Sequence, residues 1–194
     1  MSQAKPATAP QVKRVVIGVG PDKKSAAIHR DSPNHQEVPA IFWRSTLWAT
    51  TELPVNNQTE GDRAADVTIR EPTENGMIFR ALEIPPDIKD AKKHIEILQE
   101  LNKKVKQKYP PTEKDLARHP SMHRTDTCDM STVAYGEIYL VSDTDETLLR
   151  PGDTAVVLGV NHAWSNRSDK PCMIIGTMVH ATPWPKDKYP APGL

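Results

Sequence analysis

An all-β fold of antiparallel strands is predicted by three features of this chain. Short β-branched and aromatic runs recur, separated by turn residues at about eight- to twelve-residue intervals. Eighteen prolines against nine glycines mark many fixed turns and strand ends. No sustained strand–helix alternation, no GxGxxG and no Walker-type phosphate loop is present, which disfavours nucleotide chemistry. An antiparallel barrel or sandwich satisfies all three.

Residues 1–10 are rich in Ala and Pro and read as a disordered lead-in. Val12 to Val19 is β-branched and stops at Gly20-Pro21-Asp22, a turn signal, after which Ser25 to His29 pairs back as the second arm of a hairpin. His29 and His35 read as exposed loop or strand-end histidines. Ile41 to Thr51 carries Phe42, Trp43, Leu47 and Trp48 and reads as an aromatic strand. Gly76 to Ile84 is a further strand, closed by Pro85-Pro86. From Asp87 to Tyr109 the period changes: Ile88, Ala91, Ile95, Leu98, Leu101 and Val105 recur at helical spacing, an amphipathic helix that covers one side of the barrel or packs at a dimer contact. Strands then resume at Ser131–Val141, Thr147–Arg150, Thr154–Leu158 and Cys172–His180. A length of 194 residues suits one structural domain. Within it, 11–110 supplies N-terminal strands and the covering helix, 111–183 the barrel motifs, and 184–194 a Pro-rich tail.

Charge narrows the partners. Lys plus Arg equals Asp plus Glu at 25 each, so no global field attracts nucleic acid or an anionic membrane, and a neutral small molecule fits the balance better. The lysines near Lys103 and Lys108 read as a solvated helix face. Cys128 and Cys172 show no CxxC spacing, and no run is long and apolar enough to span a membrane. A cytoplasmic protein with reduced thiols is expected.

The candidate site lies between His123 and Asn166. His123, Thr125, Thr127 and Asp129 recur at every second position, which in a strand puts an imidazole, two hydroxyls and a carboxylate on one face. Polar groups there are costly unless paired or used. His162 follows a Gly-containing turn and can return to the same cavity. A satisfied buried polar network with no chemistry is the plain alternative.

The spacing resembles that of the cupins, small jelly-roll barrels also described as double-stranded β-helices. Their first motif, His-x-His followed by Glu and then Gly, aligns with His123, Thr125, Asp129 and Gly136. Their second aligns with Gly152, Gly159, His162 and Asn166, and Pro151-Gly152-Asp153 is also similar. Phe79-Arg80-Ala81-Leu82-Glu83-Ile84-Pro85-Pro86-Asp87 extends the likeness to a subgroup of small cupins from bacteria and fungal polyketide gene clusters, some labelled oxidoreductases. The resemblance implies a cupin barrel with N-terminal extra strands and one long helix. It also implies a tailoring enzyme acting on a small aromatic or polyketide-derived molecule, and a homodimer.

What the resemblance implies about the chemistry divides. A divalent metal (Fe, Zn or Mn) held by His123, Asp129 and His162 would support oxidoreductase chemistry. The family's second histidine is Thr125 here, its glutamate is the shorter Asp129, and its opening glycine is Ala117. The rival is metal-free proton transfer by His123 or His162 with Asp129 orienting it, a lyase or isomerase reaction. A ligand-binding module without catalysis is the third reading. Thr125, Thr127, Trp164, Trp48, Tyr135 and Met178 are the candidate substrate-binding residues.

Overall fold

The computed structural model describes residues 12–33, 35–57, 61–67, 70–104 and 107–189. The expected lead-in at 1–10 and the tail end at 190–194 lie outside the described residues. In chain order the elements are β1 (Arg14–Val19), β2 (Ser25–Asp31), β3 (His35–Val38), β4 (Phe42–Thr50), β5 (Met77–Ile84), α1 (Ala91–Lys104), α2 (Glu113–Arg118), β6 (Thr127–Tyr135), β7 (Ile138–Ser142), β8 (Glu146–Leu149), β9 (Thr154–Leu158), β10 (His162–Ser165) and β11 (Cys172–His180).

A six-stranded sheet in the order β3-β4-β5-β11-β6-β9 accompanies a three-stranded sheet in the order β10-β7-β8, and β1-β2 forms a separate hairpin. Every pairing is antiparallel. The chain joins the two larger sheets just before β6, where His123 pairs with His162 of β10 and β6 of the larger sheet then begins at Thr127. Two antiparallel sheets sharing one interior make the expected double-stranded β-helix, with the N-terminal strands added to it.

The larger sheet is lined on both faces. Along β5, Arg80, Leu82 and Ile84 line the interior cavity, while Ala81 and Phe79 join Trp43, Leu47 and Met173 on the outer side. One end of the interior is apolar: Val133, Ile138, Leu149, Cys172 and Ile174 pack together there. Each such side chain contributes about 1.5–3 kcal/mol on burial. Gly176 of β11 allows β6 to approach closely, because a Cβ there would lie 2.6 Å from the Met130 carbonyl oxygen.

The helices depart from expectation in two ways. The amphipathic helix begins at Ala91 rather than near Asp87, and the Asp87 backbone N–H donates to the Asn166 carbonyl (2.8 Å). The Asp90 carboxylate instead accepts from the Lys93 N–H (3.1 Å) at the helix start. His94, Leu98 and Leu101 are its buried residues. The short α2 was not anticipated, although its signal was present: Thr112 and Asp115 form a reciprocal capping box directly after Pro110-Pro111. His35 is exposed at the first position of β3, a strand-end histidine as expected, and its ring stacks on Trp43, ring centroids 5.7 Å apart.

Arg14 fastens the N-terminal hairpin to the body. Its guanidinium donates to both oxygens of Asp31 (2.9 and 2.6 Å), both of Asp62 (3.0 and 2.7 Å) and the Leu47 carbonyl (3.0 Å). Among the described residues, no helix is long and apolar enough to cross a membrane. Cys128 and Cys172 are both free thiols.

Candidate active site

The polar end of the interior is a cavity of about 170 Å³. His123, Asp129, His162, Trp164 and Met178 line it, as do Arg44, Arg70 and Arg80. Apolar wall comes from Phe42, Leu82, Leu98 and Ile174 among others. Strands β4, β5, β6 and β11 supply one wall, β10 and the His123 segment another, and α1 closes over them.

The two histidines are fixed by backbone. His123 and His162 each donate N–H to the other's carbonyl at 2.9 Å. Their ring centroids are 4.3 Å apart. Nδ1 of His123 lies 2.9 Å from the Ser121 carbonyl and Nδ1 of His162 lies 2.9 Å from the Val160 carbonyl. A carbonyl only accepts, so Nδ1 carries the hydrogen in both rings and Nε2 is the basic nitrogen. Trp164 sits edge-on to His162 at 6.3 Å.

Electrostatics keep both rings neutral. Burial pushes His123 well below the ordinary imidazole range, with the charges of His162 and Arg70 acting the same way. Burial also lowers His162, against the Val160 carbonyl and Asp129, which favour its charged form. Burial pushes the Asp129 carboxyl above its ordinary value, while the Thr127 hydroxyl, His162 and Arg80 pull the other way. Asp129 Oδ1 is buried with no hydrogen-bond partner among the described residues.

The expected polar face reaches the cavity at its two ends, His123 and Asp129. The chain bends at Asp126 on its way into β6, where Lys108 (2.5 Å) and the Tyr109 hydroxyl (3.0 Å) hold the Asp126 carboxylate. Thr125 and Thr127 are not in the cavity lining themselves; their hydroxyls share a 2.7 Å hydrogen bond, and the Thr127 side chain hydrogen-bonds Asp129, which is in it. Arg124 is buried with its guanidinium 4.8 Å from the Tyr109 ring and 4.6 Å from the Tyr189 ring. Trp48 also stands outside the cavity wall: a register shift between Thr46 and Trp48 sets it opposite Phe79, a residue of the outer-face cluster. Tyr135 is exposed and donates its hydroxyl hydrogen bond to Glu83. Asn166 is fully buried and ties the β10–β11 turn to β5 through the Ile84 carbonyl (2.9 Å) and the Lys170 carbonyl (2.8 Å).

The cation-ligand set expected from the resemblance does not assemble. Metal ligation at bond lengths near 2.0–2.3 Å brings donor atoms within about 4 Å of one another. Among the described residues, the one trio of His, Cys or carboxylate donors all within 4.8 Å is His29, Asp31 and Asp62, not His123, Asp129 and His162. In that other trio both carboxylates are engaged by Arg14. Arg44, Arg70 and Arg80 add positive charge to the cavity, which opposes a further cation. The residues present do not fit a resident divalent metal.

The three arginines, together with Asp87 and His94, escaped the sequence reading. For Arg80 the signal was an arginine on the inward face of an otherwise apolar strand, Ile78-x-Arg80-x-Leu82. Asp87 forms a second polar group at the cavity rim, accepting from Ser165 Oγ (2.6 Å) and lying 3.5 Å from His119 Nε2.

Two-sheet fold and motif spacing agree in placing this chain with proteins that resemble cupins. No family model matches it. It is 52% identical over 48 residues to phomopsin biosynthesis cluster protein C' of Diaporthe leptostromiformis, a stretch covering 24% of this chain and 25% of the relative. It is 37% identical over 65 residues to the cupin-domain-containing oxidoreductase srdB of Neurospora crassa, covering 32% and 33% respectively. The chain thus matches about a quarter to a third of the length of these curated relatives. Among solved structures it is similar to the Schizosaccharomyces pombe Cnp3 cupin domain, with TM-score 0.44 and 10% identity over 87% of each chain.

Proposed function

We propose that this chain is a small-molecule tailoring enzyme of cupin type that works by proton transfer, in the lyase or isomerase class. The observation that carries the reading is the pair of buried imidazoles whose Nδ1 atoms are held by backbone carbonyls, leaving Nε2 basic in the cavity that Asp129 also lines. A neutral buried imidazole is a competent general base near neutral pH. His162 Nε2 takes a proton from a carbon next to a carbonyl, and the C–H pair becomes the C=C bond of an enolate as the C=O π pair moves to oxygen. The imidazolium then returns the proton, to that carbon or at a second position, as the oxygen pair re-forms the carbonyl. Asp129 stabilises the imidazolium through its charge, and the apolar wall holds the body of the substrate.

The printed names of the relatives support a tailoring role: one pertains to a phomopsin biosynthesis cluster and one to a cupin-domain oxidoreductase. The oxidoreductase name favours a second reading, metal-assisted redox chemistry, which the donor geometry does not support. A homodimer, a cytoplasmic setting, and no nucleic-acid or membrane partner complete the proposal. The test is deuterium incorporation from D2O into an enolisable aromatic ketone such as phenylacetone, followed by NMR. Incorporation above the buffer rate that disappears in His162→Ala is expected. Equal incorporation in the wild type and in both His123→Ala and His162→Ala contradicts the reading.

A further inference from the structure

The cavity contains three guanidinium groups that nothing in the acid/base reading uses. Arg44 and Arg80 are each 8% exposed. Arg44 donates from Nε and Nη2 to Gln36 Oε1 (2.9 and 2.5 Å) and lies 5.2 Å from the Phe42 ring centroid. Arg70 donates from Nη2 to Asn102 Oδ1 of α1 at 3.3 Å, and its Nη1 is buried without a partner among the described residues. Arg80 has both Nε and Nη2 buried without a partner there. The partners of this cluster are therefore neutral amides or nothing.

Such an arrangement is costly in the free protein. Burial pushes Arg80 down to about 9 and Arg70 down to about 10, with the charge of Arg44 adding to both. Asp129 acts on Arg80 and Glu71 on Arg70 in the opposite sense, without reversing either shift. Glu71 also accepts a hydrogen bond from the Asp126 N–H (3.3 Å). Three cations against two lining carboxylates, Asp129 and Asp87 at the rim, leave a positive surplus and several aimed, unfilled donors. A buried arginine fork is suited to bidentate recognition of an oxyanion.

We propose that Arg44, Arg70 and Arg80 form the carboxylate-recognition end of the cavity, so that the ligand is a small organic acid with an apolar body. The acid group meets the unpaired Nε and Nη2 of Arg80 and Nη1 of Arg70. Its apolar body, aromatic or branched, lies against Phe42, Leu82, Leu98 and Met178. The predominance of apolar wall selects a carboxylic acid over inorganic phosphate. A zero net charge over the whole chain conceals this local surplus. The proposal rests on the reading of the cavity as a small-molecule site and names what enters it.

The test is calorimetric titration of the full chain with benzoate, benzamide and inorganic phosphate, for the wild type, Arg80→Gln and His162→Ala. Benzoate is expected to bind at least about tenfold more tightly than benzamide or phosphate, and Arg80→Gln to weaken benzoate about tenfold or more. Equal binding of benzoate and benzamide overturns the proposal, as does phosphate binding more tightly than benzoate. If Arg80→Gln does not fold, the wild-type comparison of benzoate with its neutral isostere decides alone. Benzoate affinity retained in His162→Ala supports an anion site separate from the proton-transfer group. Failure of the acid/base reading shows instead in the deuterium exchange, so the two are read independently.

Discussion

His123 and His162 face one another as an isolated antiparallel bridge, each donating its backbone N–H to the other's carbonyl at 2.9 Å. The bridge connects the segment leading into the larger sheet with β10 of the smaller one, and it brings the two rings to 4.3 Å. Because the contact is made by backbone, either ring is removable without cutting the bridge. His123→Ala and His162→Ala are therefore expected to fold, and to separate ring chemistry from architecture. Circular dichroism of both variants checks the first part.

Proton-transfer activity is expected to hold through neutral pH and to fall only on acidification. Burial lowers the folded-state pKa of His162 and of His123 below 6.5, so the basic Nε2 persists until pH drops through that lower value. A pH–rate profile of kcat/KM for deuterium exchange reads this directly. A rate that declines already between pH 8 and the ordinary imidazole value of 6.5 runs against it.

Stability is expected to decline in two acid stages. His94, His123 and His162 have depressed folded-state pKa values, so their contribution is full above 6.5 and is lost progressively as pH falls below it. Asp31 and Asp62 are held down by hydrogen bonds from Arg14, so theirs is full above 3.8 and is lost as pH falls through the depressed values. Thermal melts against pH resolve the stages, and Arg14→Met is expected to lower Tm near neutral pH and to shrink the second, to which Asp87 and Glu146 also contribute.

Asp129→Asn and Arg80→Met are each expected to raise stability at pH 7 while reducing function. The Asp129 pKa is raised in the fold, so its contribution is full below 3.8 and is lost as pH rises through the folded value; asparagine mimics the protonated form. Arg80 leaves two buried donors unpaired, and removing them is expected to contribute about 1–3 kcal/mol. Denaturant melts of the two variants provide the measurement, and destabilisation of both goes against the reading that function holds these charges in place.

Gly176→Ala is expected to destabilise the chain by about 1–3 kcal/mol through overpacking. The new Cβ would lie 2.6 Å from both the Met130 carbonyl oxygen and Ser131 Oγ, and 3.0 Å from Ser131 Cα. Two of these three atoms are backbone, so relief requires β6 and β11 to separate. A Tm equal to that of the wild type contradicts this packing.

Much of the barrel was legible because strand period and turn chemistry are local properties. Pro85-Pro86 and Pro151-Gly152-Asp153 end or begin strands by backbone restriction alone, and His123, Asp129 and His162 stand at motif spacing. What failed to show depends on the third dimension. Thr125 and Thr127 stop short of the cavity lining, one bonded to the other and Thr127 to Asp129, and Lys108 and Tyr109 of a separate segment hold the bend at Asp126 between them. The register shift in β4 sets Trp48 beside Phe79, which no alternation count reveals. Arg44, Arg70 and Arg80 come from separate segments, and their convergence is a property of sheet order. Summed charge could not disclose it, since a net charge of zero is compatible with three arginines in one cavity.

The central claim is that His162 moves protons in this cavity without a resident metal. It is tested most directly by the deuterium-exchange rate on phenylacetone before and after exhaustive dialysis against a chelator, with and without added Fe(II), Zn(II) or Mn(II). The rate is expected to survive dialysis, to ignore added metal, and to vanish in His162→Ala. Loss of exchange on dialysis with recovery on adding one of these ions would contradict the account.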